Sequence, residues 1–504
     1  MSLFKRSFAA LCALALASGL AGTVTAQPAG EKAERKGPPA DREPNVSVTR
    51  HTGTFGGQRI AYTATAGETF LRAEDGTPRA AIFSVSYVRE PRDPSRPVTF
   101  LFNGGPGSGS VWLHMGAFGP RRVAIPSDGT DDGAPPYPIV DNPDSLLDVT
   151  DLVFIDPVGT GFSHALGETN PQDYWGVTRD AQSIAQFIRL WLNENGRWNS
   201  PKYLGGESYG TTRSAAVLNQ LEGAYNDVAL NGVILISTVL DFGAGADTPG
   251  NEMTHILNLP SMAATALYHG KAQAPSVEAF VEEARRFAIG PYAHALLQGQ
   301  ALGAEERANV RRELARFTGL SEQYLEQADL RVTPSRFYKE LLRDRGLTVG
   351  RLDARYTGRD YDNAGEEPDN DPSFYGIDAG YTAAVNQHIR ETLGFRTDRS
   401  YVTIGSVQPW DWRLGQGRDS DAYLNVTPYI GRALRENSGL RIFVGQGYYD
   451  FATPFFAAEY ALSRTGIPQD RIHYRYYGSG HMMYVRDDDR VALSRDVRDF
   501  IRAR

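Results

Sequence analysis

The chain has 504 residues, 41% of them hydrophobic, enough to bury a large core without covalent cross-links. Its formal charge of −8, with no basic cluster interleaved with aromatics, argues against nucleic acid as a partner. The single cysteine, Cys12, falls in an N-terminal apolar run, so disulfides, thiol catalysis and cysteine metal sites are excluded from the rest of the chain.

Residues 1–26 carry Lys5 and Arg6, an apolar run from Phe8 to Leu20 and small residues up to Ala26. This is the pattern of a secretory signal peptide and predicts a periplasmic or secreted mature protein that starts near Gln27. No later stretch offers about 18 uninterrupted apolar residues, so no membrane contact is expected after cleavage. Residues 27–47 read as a flexible linker, rich in Pro, Lys and Glu as far as Pro44.

From Gln58 the pattern alternates through Ile60–Ala64 and Ile82–Val88 around the turn Asp75-Gly76, which predicts an antiparallel hairpin. Short unbroken apolar runs follow at Val98–Phe102, Leu152–Ile155, Val233–Ile236 and Arg441–Val444, as expected of strands covered on both faces. Between them Thr178–Asn193 has Ile184, Phe187, Ile188 and Trp191 at helical spacing. The fold class is therefore α/β, with a mostly parallel central sheet and an antiparallel N-terminal edge. Residues 48–240 and 400–504 form its two parts. The passage between them, 241–399, reads as an inserted, mainly helical cap with helices at Ser276–Phe287 and Ala304–Phe317. Its acidic run, 359–371, lacks the spacing of a calcium loop and reads as solvated. No metal and no cofactor is expected.

Lys202–Ala216 carries the chemistry. A run that ends a buried strand meets Gly206-Glu207-Ser208-Tyr209-Gly210 and passes at once into a helix, which is the form of a nucleophile elbow. A serine nucleophile needs a base and a group to orient that base. Asp450 follows the strand Arg441–Val444, and His481 follows the strand His473–Tyr477 through Gly478-Ser479-Gly480. Both lie past a strand's carboxyl end, where open α/β sheets place their sites. The other eight histidines read as structural. Asn103-Gly104-Gly105-Pro106-Gly107, after the strand Val98–Phe102, is the expected source of an oxyanion donor, with the Gly105 and Tyr209 N–H groups as the pair.

Together with Asp156–Ser163, Gly447-Tyr448-Tyr449-Asp450 and Gly480-His481-Met482, these motifs resemble the serine carboxypeptidase family, in its order, from about Phe100 to the C-terminus. The resemblance implies an α/β-hydrolase fold with a helical insertion and removal of one residue from a peptide's free C-terminus. It makes Ser208 the nucleophile, His481 the base, Asp450 its orienter, and Gly105 and Tyr209 the oxyanion donors. It also assigns Asn103, the Gly104 N–H and Glu207 to the substrate's terminal carboxylate. Glu207 can meet a carboxylate only if one of the two carries a proton. The family's second carboxylate-binding Glu falls at a position held here by Ala117, which favours activity closer to neutral pH and keeps a second reading open, an esterase or acyltransferase with the same triad. A non-catalytic binding protein on a hydrolase fold is the third. Side-chain preference and oligomeric state are not encoded in any motif.

Overall fold

The computed structural model describes residues 42–223, 227–245, 248–414, 424–464 and 466–503. The predicted signal peptide and most of the predicted linker lie outside the described residues.

Nine strands in the central sheet carry the site: β1 (Val46–Phe55), β2 (Gln58–Arg72), β3 (Pro78–Glu90), β4 (Val98–Phe102), β5 (Asp151–Ile155), β6 (Lys202–Ser208), β7 (Gly232–Thr238), β8 (Arg441–Gly447) and β9 (Ile472–Tyr477). They lie in the order β1-β2-β3-β5-β4-β6-β7-β8-β9. The first three run antiparallel, and β3 meets β5 antiparallel; from β5 to β9 every neighbouring pair is parallel. An antiparallel N-terminal edge, a parallel core, the exchange of β4 and β5 and a sharp turn after β6 together make an α/β-hydrolase fold with helical insertions.

The alternation of buried side chains explains the layers. Phe100 and Phe102 of β4, and Val233 and Leu235 of β7, pack with α1 (Val177–Asn195) and α2 (Tyr209–Leu221). Leu101, Ile234 and Ile236 point the other way, into a cluster with Val497 and Phe500 of the C-terminal helix, Asp487–Arg502. Each large side chain so buried contributes about 1.5–3 kcal/mol of transfer free energy, which is why these runs cannot slip by one residue.

Strand β1 corrects the linker boundary. It begins at Val46, and Arg42 already grips Glu68 with two bonds of 2.6 and 2.8 Å. The strand is an edge whose residues alternate between exposed and half-buried, so its Thr-rich sequence has no apolar period to reveal it.

Among the described residues of the insertion the regular elements between Phe242 and Thr392 are helices, apart from a short ribbon, Thr348–Val349 with Thr357–Gly358. Its helices include α3 (Met253–Tyr268), α4 (Val277–Phe287), α5 (Ala304–Thr318) and α6 (Asp378–Gln387). Ser276 caps α4 by accepting from the Ala279 N–H. Helices α3, α4 and α5 share an apolar core of their own, which closes onto Tyr448, Tyr449 and Phe451 after β8, whereas α6 packs through Tyr381, Ala384 and Val385 into the cluster under the sheet. The insertion thus seats itself on the turn that carries Asp450.

Candidate active site

Ser208 ends β6 and stands at the N-terminus of α2 with φ 61° and ψ −130°. A side chain held there costs roughly 1–3 kcal/mol. Glycine at the flank makes so tight a turn feasible, because a Cβ on Gly206 would collide with the Gly210 carbonyl. No side chain caps α2, so its first N–H groups are aimed at the space beside Ser208.

Asp450 and His481 come to the same sheet edge. His481 Nδ1 lies 2.8 Å from Asp450 Oδ2. With a carboxylate as acceptor, Nδ1 carries the proton and Nε2 is the basic nitrogen. Asp450 is fully buried and also accepts from the N–H groups of Ala452 (2.8 Å) and Thr453 (3.0 Å) and from the Thr453 hydroxyl (2.6 Å). Burial alone would lower the imidazole pKa, but Asp450 and then Glu207 outweigh it, and the pKa is raised.

Three further groups fix the His481 turn. The Ser237 hydroxyl donates to the His481 carbonyl at 2.5 Å, the His481 N–H donates to Leu352 O at 2.6 Å, and the Gly480 N–H donates to Asp353 Oδ2 at 3.0 Å. Ser237 sits at φ 51° in a bulge of β7, and the next residue, Thr238, is the register partner of Ser208. One irregularity in β7 therefore brings the elbow and the histidine turn together. Leu352 and Asp353 belong to the insertion, and the same turn meets the other loop, with the Phe451 N–H on Arg351 O at 3.1 Å and the Ala354 N–H on Tyr449 O at 3.0 Å. The insertion, expected as a cap, also holds the loops beneath it.

Asn103-Gly104-Gly105 runs directly against the elbow. A Cβ on Gly104 would stand 2.5 Å from Tyr209 N and 2.7 Å from Glu207 O. The Gly105 and Tyr209 N–H groups, expected as oxyanion donors, thus belong to backbone segments in van der Waals contact. Arg213 of α2 locks the arrangement from below: its Nε donates to Asp180 Oδ2 at 2.6 Å and its Nη1 to Asn103 O at 2.5 Å. The guanidinium lies over the rings of Phe102 and Tyr209, with no exposure to solvent. Burial pushes the Asp180 pKa up, with Arg213 opposing.

Glu207 is 3% exposed. Asn103 Nδ2 donates to its Oε1 at 3.0 Å and the Tyr484 hydroxyl to its Oε2 at 2.6 Å. Asn103 is oriented by its own Oδ1, which accepts the Leu113 N–H at 3.0 Å. Burial pushes the Glu207 carboxyl up to about 7; Asp450 adds to this, while His481, Tyr484 and Asn103 oppose it. Ala117 is fully buried in the helical turn Leu113–Phe118, and its neighbour Gly116 lies against the Tyr381 hydroxyl and the ring of Tyr484. The group that meets Glu207 is therefore a phenol, three residues after His481, which no motif had singled out.

The remaining histidines have other surroundings. His114 and His388 share the buried Tyr87 hydroxyl at 2.7 and 2.8 Å, His164 bonds Phe162 O at 2.8 Å and His269 bonds Ala354 O at 2.6 Å. His51 bonds Thr49 Oγ1 at 2.7 Å, His255 lies 3.3 Å from Val332 O, His294 is exposed beside Glu306, and His473 packs edge-on to Phe500. In the acidic run, residues 361–367 are exposed, but the Asp360 carboxylate is buried against the Lys339 ammonium, so the run is not solvated throughout. No group of three or more His, Cys, Asp or Glu side chains able to hold a metal occurs among the described residues.

Residues 76–255 match the family model described as serine carboxypeptidase, a span that holds Asn103, Gly105, Glu207 and Ser208 and ends before Asp450 and His481. No curated protein matches the chain. Similar solved structures include a haloalkane dehalogenase loop variant from Bradyrhizobium elkanii, 14% identical over 90% of this chain and 97% of the other, with TM-score 0.30. An epoxide hydrolase from Aspergillus niger is 11% identical over 87% and 78%, with TM-score 0.34. A monoglyceride lipase variant from Saccharomyces cerevisiae is 11% identical over 86% and 94%, with TM-score 0.34.

Proposed function

We propose that this chain, which carries a serine carboxypeptidase domain on an α/β-hydrolase fold, is an exported peptidase that removes C-terminal residues through an acyl-enzyme on Ser208. The observation that carries the reading is the His481–Asp450 bond of 2.8 Å at the sheet edge where the strained elbow stands. In the first step the Ser208 proton passes to His481 Nε2 as Oγ bonds the scissile carbonyl carbon. The negative charge that develops on the carbonyl oxygen is met by the Gly105 and Tyr209 N–H groups. Collapse breaks the C–N bond, and the proton on His481 goes to the leaving amine. Water then repeats the sequence on the ester, giving up its proton to Nε2 and releasing the acid and free Ser208. Asp450 keeps Nδ1 protonated and stabilises the imidazolium.

Asn103, the Gly104 N–H and Glu207 are the groups we assign to the substrate's free carboxylate. Glu207 supports this role because its pKa near 7 lets it be neutral, and so a donor to an anion, at and below neutral pH. Ala117, in place of a second acid, keeps the other reading open, an esterase or acyltransferase with the same triad. Matched peptides ending in a free acid or an amide separate the two: a peptidase of this kind takes the acid and an esterase is indifferent. Failure of Ser208 to react with a fluorophosphonate probe would instead favour the non-catalytic binding protein. The mature protein is expected in the periplasm or outside the cell, with peptides as partners; among the described residues no helix is long and apolar enough to cross a membrane. An N-terminal mass that places the start near Gln27 tests export.

A further inference from the structure

The two oxygens of Glu207 have unequal surroundings. Oε2 accepts from the Tyr484 hydroxyl at 2.6 Å, and burial followed by the charge of Glu207 raises the Tyr484 pKa far above 10. A phenol that does not ionise and whose acceptor is Glu207 donates to it in both of its charge states. Oε1 instead faces Asn103 Nδ2, whose orientation is fixed by the Leu113 N–H on Oδ1. Of the two hydrogens on that amide nitrogen Glu207 takes one, and the Tyr484 oxygen also lies within reach of the same amide. The tyrosine reaches this place because residue 116 of the turn Leu113–Phe118 is glycine: a Cβ there would come within 2.7 Å of Tyr484 Cε2.

We propose that Tyr484 is a positioning residue for substrate recognition: by holding Oε2 as a permanent acceptor it directs the acid proton of Glu207 to Oε1, which with the Gly104 N–H presents two donors to a free peptide carboxylate. The proposal rests on the carboxypeptidase reading. Because the tyrosine adds no titration of its own, release of the Oε1 proton is a single step. The other titratable groups facing Glu207 are Asp450 and His481 on the turns after β8 and β9, and Tyr381 on α6. Once Glu207 ionises, Oε1 repels the carboxylate, so kcat/KM for free-acid peptides falls on the alkaline side while that for amides does not.

The test compares pH profiles of kcat/KM on matched acid and amide peptides for the wild type, Tyr484→Phe, Glu207→Gln and the double variant. Tyr484→Phe removes a donor to the ionised form, so the alkaline limb for acid peptides moves up by about one to two pH units. Glu207→Gln has no such limb, and adding Tyr484→Phe to it creates none. Coincident limbs in wild type and Tyr484→Phe, or an equal change when Tyr484→Phe is added to Glu207→Gln, overturn the proposal. A wild type that does not prefer the acid peptide refutes the carboxypeptidase reading instead. Infrared titration of the Glu207 carboxyl then still decides the role of Tyr484: an unchanged midpoint in Tyr484→Phe sinks it, and a raised one supports it.

Discussion

Replacing Asp156 with Asn is expected to make the protein more stable at alkaline pH and to leave it nearly unchanged in acid. Asp156 opens the loop that packs beside the oxyanion turn; its Oδ1 accepts the Ser110 N–H at 2.7 Å and the Tyr401 hydroxyl at 3.2 Å. Oδ2 is pressed against Gly161, at φ 52°, where any Cβ would collide with it. Burial pushes the carboxyl from 3.8 up to about 7, with the Ser110 and Tyr401 bonds opposing. A raised carboxyl pKa means that the folded protein holds a proton the unfolded chain has released. The stability is fully present below pH 3.8 and is lost as pH rises through about 7. At about 1.4 kcal/mol per pKa unit the loss is about 4 kcal/mol. Asn does not ionise and keeps the acceptor on Oδ1, so Asp156→Asn escapes the loss. Urea unfolding at steps from pH 4 to 8 reads the difference between the two proteins. It is expected to be within about 1 kcal/mol at pH 4 and to grow steadily to about 4 kcal/mol in favour of the variant by pH 8. A difference that stays constant across the range would refute the reasoning, because it would mean that Asp156 is ionised, or satisfied as an anion, throughout.

Ser208→Ala should lower kcat by about 10⁴- to 10⁶-fold with the fold intact, and His481→Ala by a similar amount, measured on peptide substrates; substantial turnover in a well-folded Ser208→Ala protein is the adverse result. Ser208→Gly should be as inactive yet more stable than Ser208→Ala by about 1 kcal/mol in denaturant titration, since glycine relieves the strain at φ 61°. Arg213→Met should cost about 3–5 kcal/mol, because it strands the buried Asp180 carboxylate, and adding Asp180→Leu should recover much of that; equal stability of the single and double variants would contradict the buried pair. Asp353→Ala, in the insertion, should lower kcat by more than it changes fluorophosphonate access, because it frees the Gly480 N–H that steadies the His481 turn; unaltered kcat would argue that the insertion only covers the site.

Much of this protein was readable from local patterns. Elements whose physics is local were legible: β4, β5, β7 and β8 from unbroken apolar runs that only two covered faces can hide, α1 from its 3.6-residue period, and the elbow from glycines without which Gly206 could not pass Gly210. Strand β1 was not legible, because an edge strand with one half-exposed face carries no apolar signal. Nor were the groups that act across the chain. The Ser237 hydroxyl under His481, the Asp353 carboxylate and the Leu352 carbonyl holding the histidine turn, and Arg213 tying Asn103 to Asp180 are single groups whose partners lie 33 to 244 residues away. Tyr484 is the sharpest case. At position 117 the sequence shows only that an acid is missing, while the phenol 277 residues beyond Glu207 is brought to it by the parallel order of β6, β7, β8 and β9. Periodicity and turn chemistry act over a few residues and so are written in the sequence. A hydrogen bond between two sheet-edge turns depends on strand order and register, and these are decided only when the layers pack.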